Sequence, residues 1–370
     1  MIYPLLPLFL SSVLGANASF IGAIEGAAES TAALLKLASG WWSDRVKKRK
    51  PLVVLGYGIA SFLRPFVAIA QTATQVLLIR VGDRVGKGIR TSPRDALLAD
   101  SVDPTMRGKS FGFHAAADNA GAVLGPLTAF ALLRWAHLSM RNVFWLAAIP
   151  GIAAFIVLVV AVREVPHAEP APDATTATDA RSPSLGGRYW YYLGVVLLFT
   201  LGNSTDAFLL LRANQLGVAV ALAPILWALL NFMKAALGTW GGALSDRVGR
   251  KPLIIGGWLL YAAVYFGFGA ATQAWHAWAL FATYGLFYAM TEGTEKALVA
   301  DLVPQTRRGV AYGWYNLAIG LGALPASLIF GAIWDRVGAP TAFMFGSALA
   351  LVAAIGMVMV KPSPLAVSAV

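Results

Sequence analysis

Apolar stretches alternate with short polar connections along the whole chain. A helix needs ~20 mostly apolar residues to cross a hydrocarbon layer ~30 Å thick. Twelve stretches approach that length: residues 1–16, 19–42, 52–70, 75–99, 109–133, 142–162, 189–213, 218–244, 253–271, 275–300, 310–334 and 341–360. Glycines recur inside them, which suits close helix contact in lipid. The pattern therefore predicts an all-α membrane protein of twelve spans.

One stretch breaks the alternation. Residues 163–188, "REVPHAEPAPDATTATDARSPSLGGR", are rich in Pro, Ala, Thr and charge. They read as a flexible linker between an N-terminal six-helix bundle (1–162) and a C-terminal one (189–361), with a short tail at 362–370.

The two bundles repeat one another. "ADSVDPTMRGKSFG" (99–112) matches "ADLVPQTRRGVAYG" (300–313), and "SDRVKKRKP" (43–51) matches "SDRVGRKP" (245–252) with one extra residue in the first copy. Each half is thus a copy of one six-helix unit. Gly15 corresponds to Gly217, while the seventh span begins near Tyr189. By the same offset the first span should begin about a dozen residues before Met1, because residues 1–16 reach only ~24 Å at 1.5 Å per residue. The first helix thus reads as truncated, the alternative being a tilted, naturally short helix.

Composition agrees with lipid as the main solvent. The chain is 58% hydrophobic and only 13% charged, where a soluble domain is about a quarter charged. The net charge of +11 sits in short basic clusters between spans, which excludes a nucleic-acid surface. The connections after the even-numbered spans hold most of the Lys and Arg, so they and both termini are expected in the cytoplasm, with the chain in the inner membrane. Zero cysteines exclude disulfides and thiolate chemistry. No Walker loop, H-E-x-x-H, G-x-S-x-G or metal-ligand cluster occurs. The expectation is no enzyme, no cofactor and no metal.

Twelve spans, two homologous halves and a long middle loop resemble the major facilitator superfamily. "GWWSDRVKKRK" (40–50) and "GALSDRVGRK" (242–251) resemble its loop motif G-x-x-x-D-R-x-G-R-K; the first copy has lysine for the internal glycine and one added residue. "RVGDRVGKGIRTSP" (80–93) resembles the fourth-helix R-x-x-x-G-x-G motif, with Arg84 where glycine is usual. "GAVLGPLTA" resembles the fifth-helix motif of drug/proton antiporters through Gly121, Gly125 and Pro126, with Ala129 in place of the last glycine. The resemblance implies a latch of the outward-open state at the loop motifs, including Gly40 and Gly242.

The charges give that latch a mechanical reading. Asp44 can accept hydrogen bonds from the N-terminus of a neighbouring helix. Arg45 and its neighbours can pair with Asp100, and Asp246, Arg247 and Asp301 repeat the arrangement. Arg94 and Asp95 align with Glu295 and Lys296, the charges exchanged, so Arg94 could face Glu295 and Asp95 could face Lys296 at a cytoplasmic gate.

The fourth span carries Arg80, Asp83, Arg84, Lys87, Arg90, Arg94 and Asp95 at three- and four-residue steps, mostly on one face. A charge in mid-membrane costs at least ~2.5–3.5 kcal/mol, so this face must meet water, acids or a ligand. Glu25 and Glu29 on the second span offer acids at matching depth. Asp118 lies in the fifth span with His114 one turn earlier. Asn203 and Asp206 lie in the seventh span, Asn231 and Lys234 in the eighth and Glu292 in the tenth, with Trp227, Trp240, Tyr284, Tyr288, Trp314 and Tyr315 as aromatic surface. This polar set either neutralises itself for packing or lines a cavity for substrate and protons. The proton candidates are Glu25, Glu29, Asp118 and Asp206, with Glu29 first and Arg80 as modulating cation.

These readings converge on a monomeric secondary transporter working by alternating access, with membrane lipids and protons as its other partners. Proton-coupled export of a small organic solute is expected first. Uptake of an organic anion, lipid or lysolipid flipping and a non-transporting sensor are the alternatives.

Overall fold

The computed structural model describes residues 5–6, 9–10, 13–15, 18–46, 48–164, 185–204, 206–219 and 222–360. Most of the expected linker, the tail after 360 and most of the first span lie outside the described residues.

All regular structure among the described residues is helical. The second to sixth spans are Ala18–Ser43, Lys50–Leu63 continued by the 3-10 turn Arg64–Ile69, Ala73–Ser101, Arg107–Arg134, and Met140–Leu146 with Ala148–Ala161. The eighth to twelfth are Ala223–Val248, Arg250–Ala270, Ala274–Leu302, Arg308–Val337 and Ala339–Val358. Six of these helical stretches, within the described residues, are apolar and long enough to cross a membrane. The charge-bearing fourth span is not among them.

The seventh span differs from its expected form. It was expected to run unbroken from 189 to 213. It is Gly187–Gly202 and then Ala207–Gln215, with Asn203, Ser204 and Asp206 outside both helices. Asn203 has left the helical conformation, with ψ of 90°. Irregular backbone at such depth is tolerated where protein or a cavity satisfies it, and the hydroxyl of Tyr261 donates to the carbonyl of Gly202 at 3.1 Å. Gly15 and Gly217, paired by the repeat, both take left-handed φ, at 64° and 97°.

The chain forms two compact units. The first comprises 1–101, 122–172 and 305–317; the second comprises 102–121, 173–304 and 318–370. Each unit therefore includes one segment from the other half of the sequence.

In the first unit the second and third spans close on the fourth across small residues. A Cβ on Gly86 would lie 2.6 Å from the Gly56 carbonyl, and one on Gly88 would overlap Leu35. Hydroxyls lock these crossings: Ser39 donates to the Gly88 carbonyl at 2.8 Å, and Ser92 to that of Lys36 at 2.7 Å. The close approach aims the charged face of the fourth span beside the second. An apolar cluster of Phe9, Leu10, Val67, Val76 and Phe144 closes the far end.

The second unit is built on aromatic packing. Phe199 stacks on Trp258 at 4.6 Å, Tyr261 on Tyr265 at 4.2 Å, and Phe268 on Phe343 at 5.4 Å. These rings are buried around the break in the seventh span.

Candidate functional site

Three groupings of polar side chains stand out. The first occurs twice. In the first unit, both oxygens of Asp44 accept backbone N–H groups, from Gly309 at 2.8 Å and Val310 at 2.7 Å. These amides open the helix Arg308–Val337, where the dipole favours an anion. Arg49 bridges Asp44, at 2.9 Å, and Asp100, and donates to the Gln305 carbonyl at 3.2 Å. Arg308 pairs with the other oxygen of Asp100.

The second unit repeats this group by group. Asp246 accepts the N–H of Gly108 at 2.9 Å and of Lys109 at 2.8 Å. Arg250 bridges Asp246 and Asp301 and donates to the Pro104 carbonyl at 3.0 Å. Arg107 pairs with Asp301 at 2.6 Å. Glycine permits the approach: a Cβ on Gly40 would fall on the Gly309 carbonyl, and one on Gly242 on that of Gly108.

The expected anions are in place, but the bridging arginines are corrected. Arg45 does not reach Asp100; it folds back over the Trp41 ring, 3.4 Å from its centre. Its neighbour Arg49 makes the bridge. Arg247 likewise yields to Arg250 and is exposed. The reason is register. Arg49 and Arg250 stand where the following helix begins and point back into the turn, whereas Arg45 and Arg247 trail the preceding helix. The sequence marks Arg107 and Arg308 only through their equivalence in the repeat.

The loops differ in one respect. The second turns through Gly249, with φ of 95°. The first lacks that glycine, and Glu164 caps the next helix instead: its two oxygens accept the N–H groups of Arg49 and Lys50, each at 2.9 Å. Burial pushes the Asp44 carboxyl above its ordinary value, against the opposing pull of the Val310 amide, Arg49 and the Gly309 amide.

The second grouping is the charged face of the fourth span. Asp83 takes Arg64 at 2.7 Å and Arg80 at 3.8 Å. Glu29 takes Arg84 at 2.9 Å and Lys87 at 3.8 Å. Arg90 lies over the Tyr57 ring at 3.9 Å. Arg94 pairs with Asp95 beside it at 2.9 Å. The sequence placed Glu29 against this face, but its expected cation Arg80 lies toward Asp83, one turn away from Arg84, which takes Glu29 instead; Arg64 and Tyr57 were missed. An arginine before proline inside an apolar run was the overlooked signal. The side chain of Glu25 lies outside the described residues.

The third grouping surrounds the break in the seventh span. Asp206 accepts the Tyr284 hydroxyl at 2.9 Å, and the hydroxyls of Tyr284 and Tyr288 lie 3.3 Å apart. The Lys234 ammonium sits 3.3 Å over the Tyr288 ring and feels the charges of Asp206 and Glu292. Tyr261 donates to Asn203 at 3.3 Å, and Ser204 and Tyr265 share a hydrogen bond at 3.2 Å. Asn203, Asp206 and Lys234 are among the polar positions expected in this half, and Tyr284 and Tyr288 are two of its expected aromatic positions. Tyr261 and Tyr265 were not expected, although their spacing of four puts both on one helix face.

The sequence model of the Major Facilitator Superfamily matches residues 1–324 and, in a second match, 191–369. An uncharacterized MFS-type transporter of Methanocaldococcus jannaschii is 33% identical over 362 residues, covering 96% of this chain and 89% of the relative.

The chain belongs to the major facilitator superfamily.

This transporter is also similar to the multidrug resistance protein MdtH of Edwardsiella ictaluri, at 34% identity over 116 residues, 31% of this chain and 29% of the relative. Its fold matches solved structures at low identity. The proton:xylose symporter XylE bound to 6-bromo-6-deoxy-D-glucose gives a TM-score of 0.76 at 18% identity, covering 95% of this chain and 90% of that one. The Escherichia coli fucose:proton symporter FucP gives 0.75 at 12%, covering 94% and 92%. The fold is that of two six-helix halves, and the protein is a transporter rather than an enzyme.

The remaining expected residues divide. Glu295 accepts the Trp258 indole N–H at 2.9 Å within the second unit. His114 and Asp118 lie 3.8 Å apart, with Asp118 exposed. Gly121 has open space where a Cβ would stand, and Pro126 sits inside a continuous helix. Close packing at Gly121 therefore does not account for its place in the fifth-span motif.

Proposed function

We propose that this transporter moves a small organic solute out across the inner membrane by alternating access, driven by the proton gradient. The observation that carries the proton coupling is Asp206. It stands at the break of a spanning helix, held by the Tyr284 hydroxyl and close enough to Lys234 to feel its charge. Ends of broken helices at bilayer depth are where such folds bind substrate and coupling ions. A carboxyl changes its proton affinity when it moves between an apolar pocket and a cation's neighbourhood. Loss or gain of the Lys234 contact would therefore load or release the proton.

This reading moves the proton site from Glu29 to Asp206, because Glu29 is half exposed and shared by two cations. Outward direction draws support from the partial similarity to MdtH and from the fifth-span motif. The duplicated Asp44 and Asp246 clusters act as latches at the cytoplasmic ends of the spans.

The test is flux in proteoliposomes with an imposed pH gradient and a solute library. Gradient-driven flux should appear for at least one solute. Asp206→Asn should abolish it while leaving solute exchange at zero gradient. Flux indifferent to the gradient, or full gradient-driven flux in Asp206→Asn, ends the proposal. Uptake of an organic anion is the second reading, favoured by the arginines of the fourth span.

A further inference from the structure

We infer that Arg84 and Lys87 bind the oxyanion of an acidic solute, and that Glu29 occupies their place until that group displaces it. The inference rests on the reading of this protein as a solute carrier and narrows its cargo to carboxylates or phosphate esters.

Three observations converge on Glu29. The first is its geometry. One oxygen, Oε1, serves both cations, 2.9 Å from Arg84 and 3.8 Å from Lys87. The Arg84 side chain is 10% exposed and that of Glu29 is 53% exposed. The cation is buried and its anion is half exposed, so a group approaching from that side meets Glu29 first. A pair serving packing alone would sink both partners.

The second is an unused donor. The Nε of Arg84 is buried with no hydrogen-bond partner among the described residues. A guanidinium presents its donors as a planar fork that two oxygens of one oxyanion fill together. Glu29 fills one prong. Asp83 cannot supply the other, since it serves Arg64 and Arg80.

The third is charge. The second, third and fourth spans carry Lys36, Arg64, Arg80, Arg84, Lys87 and Arg90 against Glu25, Glu29 and Asp83. Arg94 and Asp95 cancel. Even with Glu25 counted, cations outnumber acids at bilayer depth, where uncompensated charge is unfavourable. An incoming oxyanion lowers that excess. Displacement of Glu29 asks only for rotation of a half-exposed side chain.

The experiment uses the full chain in lipid nanodiscs and measures binding by calorimetry. The probes are benzoate, citrate, glucose 6-phosphate and inorganic phosphate at matched ionic strength, with benzamide and glucose as uncharged controls. At least one oxyanion should bind and the controls should not; the carboxylate and phosphate arms decide which source the site takes. Glu29→Gln should lower the Kd for that oxyanion roughly fivefold or more, because the internal competitor is gone, while Arg84→Gln raises it more than about tenfold. Arg84→Lys, which keeps the charge and loses the fork, should fall between. Binding that is unchanged or weaker in Glu29→Gln overturns the proposal, as does a panel with no oxyanion bound. If binding follows this pattern but liposomes show no flux, the carrier reading fails and the site stands. If flux of uncharged solutes proceeds unaffected by Glu29→Gln and Arg84→Lys, the site fails and the carrier reading stands.

Discussion

The Asp44 carboxylate holds the backbone N–H of Gly309 at 2.8 Å, across 265 residues of sequence. Asp246 holds that of Gly108 in the same way. Gly108 and Gly309 are equivalent in the repeat, so the fold docks a helix start onto a loop acid twice. Asp44→Ala leaves the Gly309 and Val310 amides without their acceptor, and each buried unsatisfied group costs about 1–3 kcal/mol. The chain has no cysteine, so a thiol introduced as Val310→Cys reports on this docking without background. Its maleimide labelling should rise severalfold in Asp44→Ala and stay unchanged in Arg45→Ala. Equal labelling in Asp44→Ala and the parent would refute the docking role.

The same carboxyl carries a pH signature. Burial raises its proton affinity in the docked arrangement. A raised acid contributes stability that is full below its unfolded value and is lost as pH rises through the folded value. Docking should therefore tighten as pH falls through the titration of Asp44, because a neutral acid still offers a carbonyl oxygen to one amide. Measured against labelling of the denatured chain at the same pH, which removes the thiol's own titration, labelling at Val310→Cys should drop on acidification in the parent and lose that dependence in Asp44→Asn. A rise on acidification contradicts the sign.

Gly40 and Gly242 each face a carbonyl of the docked helix start, at Gly309 and Gly108. Backbone cannot move aside as a flexible side chain can, so an added methyl holds the segments apart. Overpacking of this kind typically costs ~1–3 kcal/mol. Gly40→Ala and Gly242→Ala should each lower transport more than Gly121→Ala, whose Cβ meets nothing. Equal flux in all three variants would remove the packing argument.

Glu164 caps the helix that begins at Lys50, and its two hydrogen bonds reach the backbone of Arg49, whose guanidinium bridges Asp44 and Asp100. Loss of a helix cap costs ~0.5–2 kcal/mol. Glu164→Ala should lower the melting temperature and raise Val310→Cys labelling; Glu164→Gln, which keeps one acceptor, should do less. Lower melting with unchanged labelling would confine Glu164 to stability and deny it any influence on the docked segment.

Much of this was legible before any coordinates. Ala73–Ser101 lies within two residues of its expected span, and the acids of both loop motifs were read correctly as acceptors for a helix start. Glu29 was placed against the fourth span, but Arg84 and Lys87 rather than the expected Arg80 meet it. What escaped was the choice among neighbours. Arg49 lies four residues after Arg45, yet the helix restart at Lys50 turns one toward Asp100 and the other toward Trp41.

The sequence by itself determined the span lengths, the duplication and the charged stripe, because bilayer thickness and helical period act on consecutive residues. Only the tertiary structure decided which arginine meets which acid, where the seventh span breaks, and that Tyr261 and Tyr265 attend the break. Each helical residue turns the side-chain direction by about 100°, so a shift of one position at a helix start changes every partner beyond it.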